Sequence, residues 1–160
     1  MTTEPPRSEL PVEIVRSRRR RRTVEATIVD GVIRVRAPAS MSRAELDEHV
    51  SALVSRLQRR YRSEGVDLDR RARTLAKRFD LPRPASIAWA EQRDRWGSCT
   101  PSTATIRIST RLAAYPPWVL DYVIVHELAH LVIAGHDARF HAIVDRYPLA
   151  ERARGFLMAV

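Results

Sequence analysis

An α+β fold is what this 160-residue chain predicts, on three observations. Alternating apolar residues, the pattern of short half-buried strands, occur near residues 12–37 and again near residues 87–108. Two stripes at helical spacing lie between them, over residues 46–61 and 68–79. One long apolar stretch, residues 119–133, follows. Strands and helices are therefore segregated and do not alternate as βαβ units.

Residues 1–11 are polar and carry prolines, which predicts a flexible tail, with a single domain over 12–160. Val12 to Val15 alternate as a short strand would. Val24, Ala26 and Ile28 alternate up to Asp30-Gly31, and Ile33, Val35 and Ala37 alternate after it, the strongest short-range hairpin signal. The N-terminal region is expected to be a small antiparallel sheet of two or three strands. Ser42 followed by Glu45 is a capping box for a helix bearing Leu46, Val50, Leu53, Val54, Leu57 and Tyr61. Gly65 ends it, and Asp67 caps a second helix bearing Leu68, Ala72, Leu75, Ala76 and Phe79. Ile87 with Trp89, and Ile106 with Ile108, read as strands joined through the turn-rich residues 95–102, a second hairpin.

Composition narrows the function. The N-terminal stretch has no apolar signal core and no segment has the length and purity of a membrane span, so a cytoplasmic protein without membrane contact is expected. Cys99 is the one cysteine, which excludes an internal disulfide and suits a reducing compartment. The net charge of +9 invites polyanions, but 22 of the 28 basic and 14 of the 19 acidic side chains lie in residues 1–95. A nucleotide or nucleic-acid contact through that arginine-rich part is one reading of the five arginines at 18–22; a solvated turn or strand edge is the plainer one.

The chemistry is concentrated in the apolar stretch. Opened by Pro116-Pro117, it is expected to form a core helix to residue 133, closed by Gly135 as a left-handed C-cap. Burying His126, Glu127 and His130 there costs several kcal/mol per group, on the order of polar-transfer energies, unless something pairs them. His126 and His130 are four residues apart and leave one face of the helix, with Glu127 beside them. In this HExxH pattern two neutral imidazoles hold Zn²⁺ and the glutamate is the general base. Catalytic zinc takes a third protein ligand. His136, brought back by the turn at Gly135, is expected to supply it, with His141 and Glu151 as alternatives. Asp137 then caps a short helix with Phe140, Ile143 and Val144 inward. His136 follows His130 by six residues, as in the metzincin signature. The glycine of that signature falls on Ile133, so that family is not assigned.

Taken together, residues 12–38, RWGSCTPSTATIRIS, LDYVIVHELAHL and GHDARF resemble the YgjP-like metallopeptidase family, related to SprT-like and WLM zinc proteases, over roughly residues 12–157. The resemblance implies a zincin-like fold around the HExxH helix, zinc held by His126, His130 and His136, and a catalytic Glu127. It also brings a nucleotide phosphoanhydride hydrolase as an alternative activity, and SprT-like relatives suggest a protease recruited to nucleic acid. The residue after Phe140, commonly tryptophan in such proteins, is His141 here.

The expected reaction is hydrolysis of a peptide or protein by metal-activated water, with Glu127 moving the proton. Candidates to meet the oxyanion or the substrate are His141, Tyr115, Tyr147, Arg93 and Arg95; Asp121, Asp137 and Asp145 are candidates to orient a ligand imidazole. The hairpin containing Ile106 and Ile108 offers an edge strand to an extended peptide. On nucleotides, the arginines at 93, 95 and 107 would hold phosphate. A purely structural zinc in a nucleic-acid-docking domain is the non-enzymatic alternative; it leaves Glu127 without a task.

Overall fold

The computed structural model describes residues 9–160. Most of the tail expected over 1–11 falls outside that range. Of its last residues, Leu10 is buried: its N–H donates to Gln58 Oε1 at 2.9 Å, and Gln58 Nε2 donates to its carbonyl at 2.7 Å. The sequence reads as one domain, and the described residues group into two compact units that part between Arg62 and Ser63. Each has its own apolar cluster. Among the described residues no helix is long and apolar enough to cross a membrane.

The first unit holds β1 (Val12–Ser17), β2 (Glu25–Val29), β3 (Val32–Pro38) and most of α1 (Arg43–Glu64). The β2–β3 hairpin turns on Asp30 and Gly31, both at positive φ (52° and 75°), as a two-residue type I′ turn requires. The sheet is mixed, not antiparallel as expected. Its order is β1-β3-β2, with β1 parallel to β3 from Val12↔Ile33 to Ser17↔Pro38. The cause is burial: Ile33, Val35 and Ala37 are fully buried, so β3 takes the centre and the more exposed strands take its two sides. The capping box is formed, Ser42 N–H donating to Glu45 Oε2 at 2.9 Å and Glu45 N–H to Ser42 Oγ at 3.3 Å. Leu46 and Val50 then cover β3, joined by Val54, Leu57 and Tyr61. The arginines at 18–22 lie in the link between β1 and β2. Four are exposed and Arg20 pairs with Glu25, consistent with a solvated turn.

The second unit opens with α2 (Leu68–Phe79), capped by the Asp67 carboxylate and burying the five residues its stripe predicts. A sheet of β4 (Ser86–Ala90), β5 (Gly97–Thr100) and β6 (Thr105–Ser109) follows, in the order β4-β6-β5. Here the expected hairpin is redrawn. Gly97 to Thr100, read as turn composition, pair antiparallel with β6, whereas β4 runs parallel to it. Pairing to a fully buried partner (Ile106 and Ile108) overrides the weak strand propensity of Gly-Ser-Cys-Thr. Ile108→Val should cost about 1 kcal/mol, read as a shift of the urea midpoint.

α3 (Pro117–Ala129) runs through the middle of this core, with Val119, Leu120, Val123, Ile124, Val125 and Leu128 buried. It ends earlier than expected. His130 is its C-cap, and Leu131 N–H and Val132 N–H donate three residues back, to Leu128 and Ala129, in a tightened last turn. Gly135 is not left-handed; among the described glycines only Gly31 has positive φ. The apolar Leu131 and Ile133 instead pack on the core from outside the helix. Two helices complete the unit, α4 (Ala138–Val144), capped by Asp137, and α5 (Ala150–Met158).

Candidate metal centre

The last turn of α3 presents His126 and His130, and the six-residue return brings His136 against both. His136 Nε2 lies 3.1 Å from His126 Nε2 and 3.2 Å from His130 Nε2. Three nitrogens bound tetrahedrally at about 2.0–2.1 Å sit about 3.3 Å apart, so the cluster has the dimensions a four-coordinate zinc ion asks for. His130 Nδ1 lies 3.0 Å from the Ile133 carbonyl. Donation there leaves Nε2 as the lone-pair nitrogen, and a backbone oxygen does the orienting expected of an aspartate. Burial pulls His126 down to about 4, helped by the neighbouring imidazoles, and burial also lowers His130. Both are thus neutral near pH 7, the form a metal needs. The Phe140 ring underlies all three imidazoles, at 4.8, 4.5 and 4.6 Å between centroids.

Glu127 is 5% exposed. Burial pushes its carboxyl up to about 7, against the pull of the Arg95 guanidinium. It lies flat on the backbone of β5: a Cβ built on Gly97 would stand 2.6 Å from its Oε1 and 2.8 Å from its Cγ. Only glycine admits that approach. A cleft of about 450 Å³ opens here, with Glu127, His126 and Gly97 on one wall and Trp96, Tyr122 and Leu157 among the others. Arg95 and Arg154 line it too.

Other expected residues are placed differently. Tyr147 is buried in the core, its hydroxyl donating to the Trp118 carbonyl at 3.0 Å and pushed up to about 12 chiefly by burial. It does not line the cleft, and neither do His141, Arg93, Arg107 or Tyr115. His141 is exposed at the edge of Phe140, and Tyr115 packs between Trp96 and Phe156. None of the three aspartates touches a ligand imidazole: Asp121 is held by Arg71, Asp137 by its cap and Arg139, Asp145 by Arg154. Glu151 pairs with Arg154, away from the imidazole cluster. Burial and then Glu127 push the Cys99 thiol up, which disfavours the thiolate a nucleophile needs. Gly97, Tyr122 and Arg154 escaped the sequence reading. Gly97 passed for a turn glycine, and no spacing rule connects Arg154 on α5 to α3.

A buried helix with two imidazoles one turn apart, a third imidazole facing them and a carboxylate beside an edge strand has the donor set and spacing of a single metal-ion site. The YgjP-like, metallopeptidase domain model matches residues 47–157, and the chain belongs to that family. Two solved structures share the fold. Against the metallopeptidase zymogen jannalysin of Methanocaldococcus jannaschii the TM-score is 0.51 at 17% identity, over 59% of this chain and 96% of that one. Against the zymogen abylysin of Pyrococcus abyssi it is 0.50 at 19% identity, over 56% and 87%. A search of the curated proteins gives no match. Membership places the chain among metal-dependent peptidases.

Proposed function

We propose that the chain is a zinc peptidase in which His126, His130 and His136 hold the ion and Glu127 is the general base. The observation that carries this reading is the convergence of three Nε2 atoms beside a carboxylate set in an apolar cleft. When bound, the ion supplies an acidified water and polarises the scissile carbonyl. Glu127, buried and tuned to near neutrality, takes the proton from that water and hands it to the leaving amine. Tyr122, kept protonated by burial, and Arg154 offer donors on the His126 side for the developing oxyanion.

Substrate register comes from β5, not from β6. Ile106 and Ile108 belong to the central strand, so the edge expected of their hairpin is the outer side of β5, next to Glu127. An extended peptide can add there through backbone hydrogen bonds. Of the three arginines a phosphate-binding reading needs, only Arg95 lines the cleft.

Metal analysis tests the reading. Purified protein should carry one zinc ion per chain, and dialysis against a chelator should abolish cleavage of unfolded protein, with recovery on adding Zn²⁺. Ion at a hundred times its Kd should stabilise the fold by about 2.7 kcal/mol. Cleavage that persists after complete metal removal would refute it.

A further inference from the structure

We propose that Arg95 makes the cleft selective for acidic peptides by pairing with a carboxylate side chain next to the scissile bond. This rests on the peptidase reading above and adds a substrate class to it.

Four observations converge. Arg95 is exposed on the cleft wall, near enough to Glu127 to pull on its carboxyl, and no ion pair holds its guanidinium among the described residues. Asp94 precedes it in the chain, does not line the cleft, and forms no ion pair with it. The second cleft arginine is different: Arg154 Nη2 is bound by Asp145 at 2.8 Å and by Glu151, so its charge is already answered. Finally, Glu127 is the only acidic side chain lining the cleft, which Arg95 shares with His126, Arg154 and an apolar group of Trp96, Val123, Leu157 and Met158. Glu127 lies beside the three imidazoles, so the carboxylate nearest Arg95 belongs to the metal site and not to the guanidinium. An entering carboxylate meets a guanidinium that no ion pair among the described residues holds, and a forked, charge-assisted pair can form with it.

The segment carrying Arg95 is also fixed in place. Arg111 Nη1 donates to the Arg93 carbonyl at 2.9 Å, while Ser109 N–H donates to the Trp96 carbonyl at 2.9 Å. The Arg111 guanidinium then lies 3.8 Å over the Trp96 ring. The backbone is thus held on both sides of Arg95, so less ordering is left for binding to accomplish. A side-chain carboxylate is favoured over a chain terminus because β5 offers a strand-length edge for a peptide to run along.

The experiment uses peptides blocked at both ends that differ only in Glu or Gln flanking the scissile bond. For the full chain loaded with zinc, kcat/KM should favour the Glu peptide about tenfold, equivalent to about 1.4 kcal/mol. The ratio should fall to near one in Arg95→Gln, survive largely in Arg95→Lys, and turn toward a Lys peptide in Arg95→Glu. Anisotropy of the same labelled peptides on Glu127→Gln protein, with and without Arg95→Gln, gives a readout free of turnover and should show the same preference. Peptide cleavage without Glu-over-Gln discrimination overturns this inference alone. If no peptide is cleaved while a nucleoside triphosphate is hydrolysed in an Arg95-dependent way, both this inference and the peptidase reading fall.

Discussion

Glu127→Gln should lower turnover of a peptide substrate by about 10²–10⁴-fold, the range a positioned general base supplies. Gln is nearly isosteric and remains a hydrogen-bonding group, so it fits the space beside β5. What it lacks is the ability to accept and return a proton. Zinc content should stay at the wild-type level, because the three imidazoles and their Phe140 support are untouched. Metal content measured beside the rate separates loss of the base from loss of the ion. A variant that keeps both its zinc and its full rate would remove Glu127 from the mechanism.

The second large effect is expected from a residue with no functional group. Gly97→Ala places a Cβ within 2.6–2.9 Å of three Glu127 side-chain atoms. Such contacts are untenable, and the group that must yield is the glutamate side chain from Cγ outward, not backbone. The fold therefore loses little, with Tm falling by no more than about 4 °C for each kcal/mol in a chain of this size. The rate should fall about 10²-fold, the penalty for displacing a reacting group by an ångström or so. The comparison of interest is activity against melting temperature in the same preparation. A large drop in Tm with kcat preserved in the folded fraction would show that Gly97 serves packing and not the glutamate.

Local chemistry was readable from the chain wherever one segment decides its own structure. The Asp30-Gly31 turn, the Ser42–Glu45 box, the α2 stripe and the Asp137 cap all lie where short-range rules put them. The pairing of strands did not follow such rules. β1 and β4 each run parallel to a partner that arrives later in the chain, and their seats are settled by which strand has the most apolar surface to bury. Strand β5 was hidden because its four small or polar residues gain their order from β6. The end of α3 is not legible in the sequence because Leu131 and Ile133 are apolar for packing on the core from outside the helix, not for extending it. At the centre itself, the two imidazoles and the glutamate of HExxH follow from spacing on one helix. The roles of Gly97, Tyr122 and Arg154 depend on which elements meet in space, and no pattern within a single segment carries that.

Phe140 has one more consequence. It is nearly completely buried and reaches the three imidazoles from α4, a helix of seven residues that begins right after His136 and its neighbour Asp137. A helix so short has no stability of its own in water and persists only while docked. The floor of the imidazole triangle is thus held in place by its docking on the core. Were the three imidazoles to hold an ion, its capture and the seating of this helix would favour one another, because the same Phe140 ring supports all three.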